Sequence, residues 1–202
     1  MNIIKSYIKK KTEKYKSYYY KNNFPNFDYF DRFNKISDLI LYDTNEEFII
    51  KNKIPFGTNI SNINNLIGKC RFQKKLEELN NYTIYYYKFK IDFLKYKLQL
   101  HFYNDMLFYA VNSFPYLDTH ELEELLNLVK IKYKIQNIID LPFGIKDKNN
   151  NILVVSESVE LIFEYFWGNK NFINEIFSEY NKLEIRRQKL IEKRKLEILK
   201  NI

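Results

Sequence analysis

The sequence predicts an α+β fold: antiparallel sheet with flanking helices and a long charged C-terminal helix. Three observations carry that reading. Tyr96, Leu98, Leu100 and Phe102 alternate with Lys95, Lys97, Gln99 and His101, the two-residue period of a strand with one apolar and one wet face. Asp118 precedes Glu121 by three residues, ahead of Leu122, Leu125, Leu126 and Val129, which is the spacing of a reciprocally capped helix start. Ile173, Ile176, Phe177, Tyr180 and Leu183 then mark one face of a helix over residues 171–200, whose second half is dominated by charge.

Taken in order, residues 3–20 set Ile4, Tyr7, Ile8, Lys11, Tyr15 and Tyr18 at helical spacing, a basic amphipathic helix that docks on the body or lies on a membrane surface. Asn22, Asn23 and Pro25 end it. Leu39 to Tyr42, a turn at Asp43 to Asn45, and Phe48 to Ile50 read as a hairpin closed by Pro55 and Gly57. Thr58 or Asn59 caps a short helix through Ile60, Ile63, Leu66 and Ile67, with Gly68 in the position after the helix where a positive φ costs glycine least. Phe72 to Leu79 reads as a second short helix.

Residues 82–114 give the strongest strand signal. An aromatic strand from Tyr82 to Ile91 turns at Asp92, and Asn104-Asp105 turns the next strand into Met106 to Val111, so three strands form a meander. After the Asp118-capped helix comes a hairpin of 143–146 and 152–155. A strand with Val159, Leu161, Phe163, Tyr165 and Trp167 on one phase follows, and Gly168 ends it. Ile54-Pro55-Phe56-Gly57 recurs as Leu141-Pro142-Phe143-Gly144, but the flanks do not align, so these are two turns and not a duplication. The domain reading is a basic N-terminal helix (1–22), one α+β domain (23–181, a subdivision near 115 left open) and a basic extension of the last helix (182–202).

The 202 residues hold 33 Lys and Arg against 25 Asp and Glu, a net charge of +8, with 18% aromatics and only four Gly and four Pro. Collagen-like, linker and disordered classes are excluded, because they lack large apolar side chains and are rich in loop formers. Lys, Asn, Ile, Tyr and Phe are the residues of AT-rich codons, so part of the charge follows from an AT-rich genome. Its distribution says more: residues 1–21 carry +6, residues 182–202 carry +5, and residues 22–181 carry −3, with −5 falling in 113–181. One cysteine, no apolar run near the N-terminus and no long apolar window lead to the expectation of a cytoplasmic protein with no transmembrane segment.

No catalytic residue, metal or cofactor is expected. One Cys with His101 and His120 cannot make a typical zinc site. Asp118, Glu121, Glu123 and Glu124 are close enough for a carboxylate Mg²⁺ site, yet capping accounts for two of them and solvation for the rest. A Cys70–His101 thiolate pair would need a helix end to meet a strand, and His101 reads more simply as a surface residue on the polar phase. Four glycines form no phosphate loop. Arg186, Arg187, Lys189, Lys193, Arg194 and Lys195 offer phosphate contacts, with Tyr85 or Tyr87 to stack on bases. Glu184, Glu192 and Glu197 among them give the competing account of a solvated helix laced with ion pairs, such as Glu192 with Lys195.

The run from Phe56-Gly57-Thr58-Asn59-Ile60-Ser61 through Leu66-Ile67-Gly68-Lys69, the tyrosine-rich strand and Leu98 to Asp105 resemble, over residues 54–114, the helix–helix–three-strand module of small bacterial envelope-assembly lipoproteins and β-lactamase inhibitor proteins. The whole-chain character resembles immunity proteins of bacterial polymorphic-toxin systems. That resemblance implies a non-enzymatic inhibitor that occludes a toxin domain, and it carries no family residues across. The expected partner contacts are Tyr85 and Tyr87 as anchors, with Glu121, Glu123, Glu124, Glu160 and Glu164 for electrostatic steering. The alternative expectation is a nucleic-acid-associated protein that uses the basic terminal helices.

Overall fold

The computed structural model describes residues 28–51, 53–76, 79, 81–92, 94–136 and 140–200. The predicted helix over residues 3–20 lies outside them. The meander forms as its alternation dictates: β3 (Tyr82–Ile91) pairs with β4 (Leu94–Tyr103), and β4 with β5 (Met106–Pro115), antiparallel throughout. Asn104 and Asp105 both take positive φ, as a two-residue hairpin turn requires. The β4–β5 register shifts between His101 and Phe102.

Around this meander stands one eight-stranded sheet, in which β1 is Leu41–Asp43, β2 Phe72–Lys75, β6 Phe143–Lys146, β7 Ile152–Glu157 and β8 Glu160–Phe166. The strand order is β1-β6-β7-β8-β5-β4-β3-β2. All neighbours are antiparallel except β1 and β6, so the sheet is mixed, not wholly antiparallel as expected. The parallel pair replaces the predicted hairpin of residues 39–50. Leu41, Tyr42 and Asp43 align with Gly144, Ile145 and Lys146, while Ile50 bridges back to Ile54. Phe72–Lys75 is likewise not helical. Phe72 pairs with Tyr86, and the segment completes the edge beside β3.

The helices obey their local signals. α1 (Tyr29–Asn34) is capped by Asp28, whose carboxylate accepts from the Phe30 N–H, and a 3₁₀ turn (Ile36–Asp38) follows it. Asn59 caps α2 (Ile60–Ile67) by accepting from Ser61 N–H, and Gly68 ends it at φ 82°. α3 (Thr119–Tyr133) has the reciprocal cap: Asp118 accepts from Glu121 N–H (2.8 Å) while Glu121 accepts from Asp118 N–H (3.0 Å). α4 runs over Lys170–Lys200. No helix among the described residues is long and apolar enough to cross a membrane.

Both faces of the sheet are covered. On one, α2, α3 and the segment around Phe48 to Ile54 pack against Tyr87, Leu98, Leu100, Phe102, Leu153 and Phe163. On the other, α1 and the first half of α4 lay Tyr29, Phe30, Ile176 and Phe177 over Ile84, Phe108, Val111 and Phe166. The predicted wet face of β4 is therefore interior at its centre, and Gln99 and His101 are buried. Beyond Leu183, α4 leaves this second core. Residues 185–199 are exposed apart from Arg187, and they carry the surface pairs Arg187–Glu184 and Lys193–Glu197.

Candidate functional site

The structure disperses the residues expected to contact a partner. Tyr87 is buried, and Tyr85 is half-buried with its ring 5.2 Å from that of Phe102, because α2 and α3 occupy the sheet face these tyrosines were expected to offer. Glu160 is bound to Lys97 at 2.6 Å, Glu121 is engaged in the α3 cap, and Glu164 is interior. Only Glu123 and Glu124 stand fully in solvent, on α3. The basic residues Arg186, Lys189, Lys193, Arg194 and Lys195 are exposed on the projecting half of α4, and Arg187 is partly screened by Glu184.

His101 and Glu164 belong instead to a buried polar chain beneath α1. The Tyr82 hydroxyl and His101 Nδ1 share a hydrogen bond of 2.8 Å. The His101 and Tyr109 rings meet edge to face at 4.7 Å, and the Tyr109 hydroxyl donates to Glu164 Oε1. Arg32 of α1 sets a guanidinium nitrogen 3.7 Å from the other Glu164 oxygen. Burial raises the Glu164 pKa, opposed by the Tyr109 hydrogen bond and the Arg32 charge. Burial, with a smaller push from Lys74, lowers His101 to about 3, so the imidazole is neutral at pH 7. Cys70 packs on the opposite side of the sheet, in the cluster with Tyr87, and burial raises its thiol pKa, so the Cys70–His101 pair is not formed.

The depressed His101 pKa fixes a pH dependence. The unfolded chain binds a proton at His101 near pH 6.5 and the folded one only near pH 3, so the stability present above pH 6.5 is lost as pH falls through that window. His101→Gln removes one titrating group, and its stability loss between pH 6.5 and 5 should be shallower than that of the parent by up to about 1.4 kcal/mol per pH unit. Urea unfolding at several pH values measures this, and identical slopes for the two proteins would contradict it.

The outer face of α3 is a different kind of surface. Leu122, Leu125, Leu126, Val129 and Tyr133 turn inward onto the first core, which leaves His120, Glu123, Glu124, Asn127, Leu128 and Ile131 outward. Leu128 is 53% and Ile131 74% exposed, two apolar side chains one helical turn apart on a helix whose other apolar residues are covered. Glu124 lies four residues before Leu128 and seven before Ile131, so acid and apolar groups share one ridge. The sequence carried this signal in Leu128 and Ile131, which fall off the phase of the buried stripe. Among the described residues, no group of three or more His, Cys, Asp and Glu side chains is placed to hold a metal ion.

No protein-family model, curated protein or solved structure matches the chain.

Proposed function

We propose that the chain is a non-enzymatic protein-binding module of the immunity type, which neutralises a cognate toxin by docking the outer face of α3 against it. The observation that carries this reading is the exposed pair Leu128 and Ile131 beside Glu123 and Glu124. Exposed apolar anchors with acids on one side are what a specific interface needs: desolvation of the anchors supplies affinity, and the acids steer a basic partner surface into place. The acids also stand near the α3 N-terminus, where the helix dipole favours negative charge.

Co-expression with the C-terminal domain of a large toxin encoded beside the gene tests the reading. Growth should be rescued and the two proteins should co-purify. Leu128→Asp with Ile131→Asp should abolish the complex and leave the melting temperature within a few degrees, since both residues are more than half exposed. Rescue that ignores both substitutions removes the α3 face from the proposal, and recovery of the chain with RNA and no protein partner removes the inhibitor role.

A second reading rests on the projecting basic half of α4, with Arg186, Lys189, Lys193, Arg194 and Lys195 exposed on a helix that has left the core. It makes the chain a nucleic-acid-associated protein. Deleting residues 184–202 should then remove a steep salt-dependent affinity for RNA or DNA.

A further inference from the structure

The end of the β3–β4 ribbon, where Lys90, Ile91 and Lys95 are exposed, carries a feature that neither reading uses. Lys88 stands directly across from Lys97, and Lys90 across from Lys95. Like charges facing each other across an antiparallel pair destabilise it; Glu160 relieves the first pair through Lys97, so Lys90 opposite Lys95 is the unfavourable choice for a structural ribbon. A cavity of about 590 Å³ opens beside them, lined by these four lysines together with Arg71, Tyr116 and a few apolar neighbours, with Glu121 as the one carboxylate. The volume lies within the range of sites that enclose a small ligand, about 300 to 1,000 Å³.

Each wall comes from a different part of the fold. Arg71 precedes β2 and is held there by its own N–H, which donates to the Tyr86 carbonyl at 2.9 Å. Tyr116 follows β5 at φ 62° and is 96% exposed, an aromatic ring presented to water with nothing packed on it. The Phe89 ring in the same cavity is occupied, since the Lys51 ammonium sits 3.1 Å from its centroid. Lys97 is neutralised by Glu160 at 2.6 Å and Lys88 is half-buried, which leaves the exposed Arg71, Lys90 and Lys95 as the cations on which an anion would settle.

We propose that this cleft binds single-stranded nucleic acid, its phosphates on Arg71, Lys90 and Lys95 and one base stacked on Tyr116. Lys90 and Lys95 face each other across the ribbon, where opposite side chains stand about 5 Å apart, and Arg71 lines the same cavity from the segment before β2, so more than one phosphate of a strand can be met at once. A free phosphate would have no use for the ring. An acidic peptide would match the charges and have no use for the ring, whereas every base offers a π-face to it. The ligand class is thus set by several cations around one cavity with an exposed aromatic beside them.

The test is fluorescence anisotropy of a labelled oligo(dT) or oligo(U) of about ten nucleotides, titrated with the full-length chain from roughly 50 to 200 mM salt. Three phosphate contacts give a log–log salt slope near about −2, and Lys90→Gln with Lys95→Gln should make it shallower by about 1.4. Tyr116→Ala should weaken binding about tenfold with the slope unchanged, because stacking releases no counterions. The lysine substitutions remove one like-charge pair and Tyr116 is in solvent, so these variants remain folded, which their thermal melts verify. No binding at the lowest salt overturns the proposal. So does binding lost through Arg194→Gln with Lys195→Gln and untouched by the ribbon substitutions, which would place the ligand on α4. Equal affinity for poly-glutamate together with indifference to Tyr116→Ala also overturns it, in favour of an acidic protein ligand.

Discussion

Replacing Asp147 by alanine is expected to cost about 3 to 5 kcal/mol of folding stability, since hydrogen bonds to a charged acceptor contribute about 1.5 to 3 kcal/mol each and orphaned buried donors add to the loss. Asp147 sits in the β6–β7 turn and is 3% exposed. Its carboxylate accepts four hydrogen bonds: from the N–H groups of Phe48 (3.1 Å), Asn149 (2.8 Å) and Asn151 (2.9 Å), and from the Asn151 side-chain amide (2.9 Å). Asn151 in turn accepts from Gly168 N–H at 2.8 Å. One buried side chain thus ties the turn to the segment carrying Phe48, and through Asn151 to the entrance of α4. Phe48 follows, because its ring packs edge to face on Tyr133 and Tyr165 only while its backbone is anchored. Asp147→Asn keeps one acceptor oxygen and turns an amide toward the remaining donors, so it should cost less than alanine but still more than about 1 kcal/mol. Urea unfolding of the three proteins orders them. A loss below about 1 kcal/mol for alanine would show that the turn holds its shape without the carboxylate.

The same turn shows why part of the fold was legible in the sequence and part was not. Caps and tight turns are set by residues a few positions apart, so Asp118 with Glu121, Gly68 and Asn104-Asp105 were legible from local spacing, and the cap of α2 was narrowed to Thr58 or Asn59, of which Asn59 serves. Strand partners are set by distant chain. Leu41–Asp43 is a strand as expected, but its partner is Gly144–Lys146 and not the nearby Phe48 to Ile50, whose backbone Asp147 captures from 99 residues away. Phe72–Lys75 is too short for periodicity to separate helix from strand, and the open edge of β3 decides it. In β4 the alternation states which residues share a face and not what lies over that face. Gln99 and His101 looked wet because their cover, Tyr29 of α1 and Ile176 of α4, comes from either end of the described chain.

Site residues divide along the same line. Glu123 and Glu124 were legible because an acidic residue on the outer phase of a helix has only solvent to face, while Glu164, on the polar phase of a strand, was drawn into the core by Tyr109 and Arg32. The lysines of the cleft were visible as the polar phase of two aromatic strands, but their pairing across the ribbon depends on a register that only the turn after Ile91 sets. The partition of charge sharpens accordingly. The body is acidic in sum at −3 over residues 22–181, yet it keeps a basic ribbon end beside an acidic helix start, with Glu121 at their junction.

Tyr29→Ala is expected to cost about 3 to 5 kcal/mol, the usual loss for deleting a buried aromatic ring. Tyr29 opens α1, is 1% exposed, and is the hub of the second core: its ring lies 5.3 Å from Phe30, 4.8 Å from Phe108, 5.2 Å from Tyr109 and 5.8 Å from Phe166. The first three of these are edge-to-face pairs, which add about 0.5 to 1.5 kcal/mol each beyond the area they bury, so the ring matters more than its volume. The hydroxyl behaves in the opposite sense. It has no hydrogen-bond partner among the described residues, and burial pushes its ionisation well above the ordinary tyrosine value. Tyr29→Phe should therefore leave stability unchanged or raise it by about 1 kcal/mol, by removing a polar group that gives up water for nothing. Thermal and urea unfolding give the order Phe at or above Tyr, with Ala far below, and a loss above about 1 kcal/mol on Tyr29→Phe would reveal a partner for the hydroxyl. The alanine variant also carries a second readout. With Tyr29 gone, α1 and its Arg32 no longer seal the chain of Tyr82, His101, Tyr109 and Glu164, water reaches the imidazole, and desolvation ceases to hold it near pH 3. The His101 resonance, followed by NMR under conditions where the variant is folded, should titrate closer to the free value of 6.5 than in the parent. A hub that closes a polar chain moves both stability and titration, whereas a ring that only fills space moves the first alone.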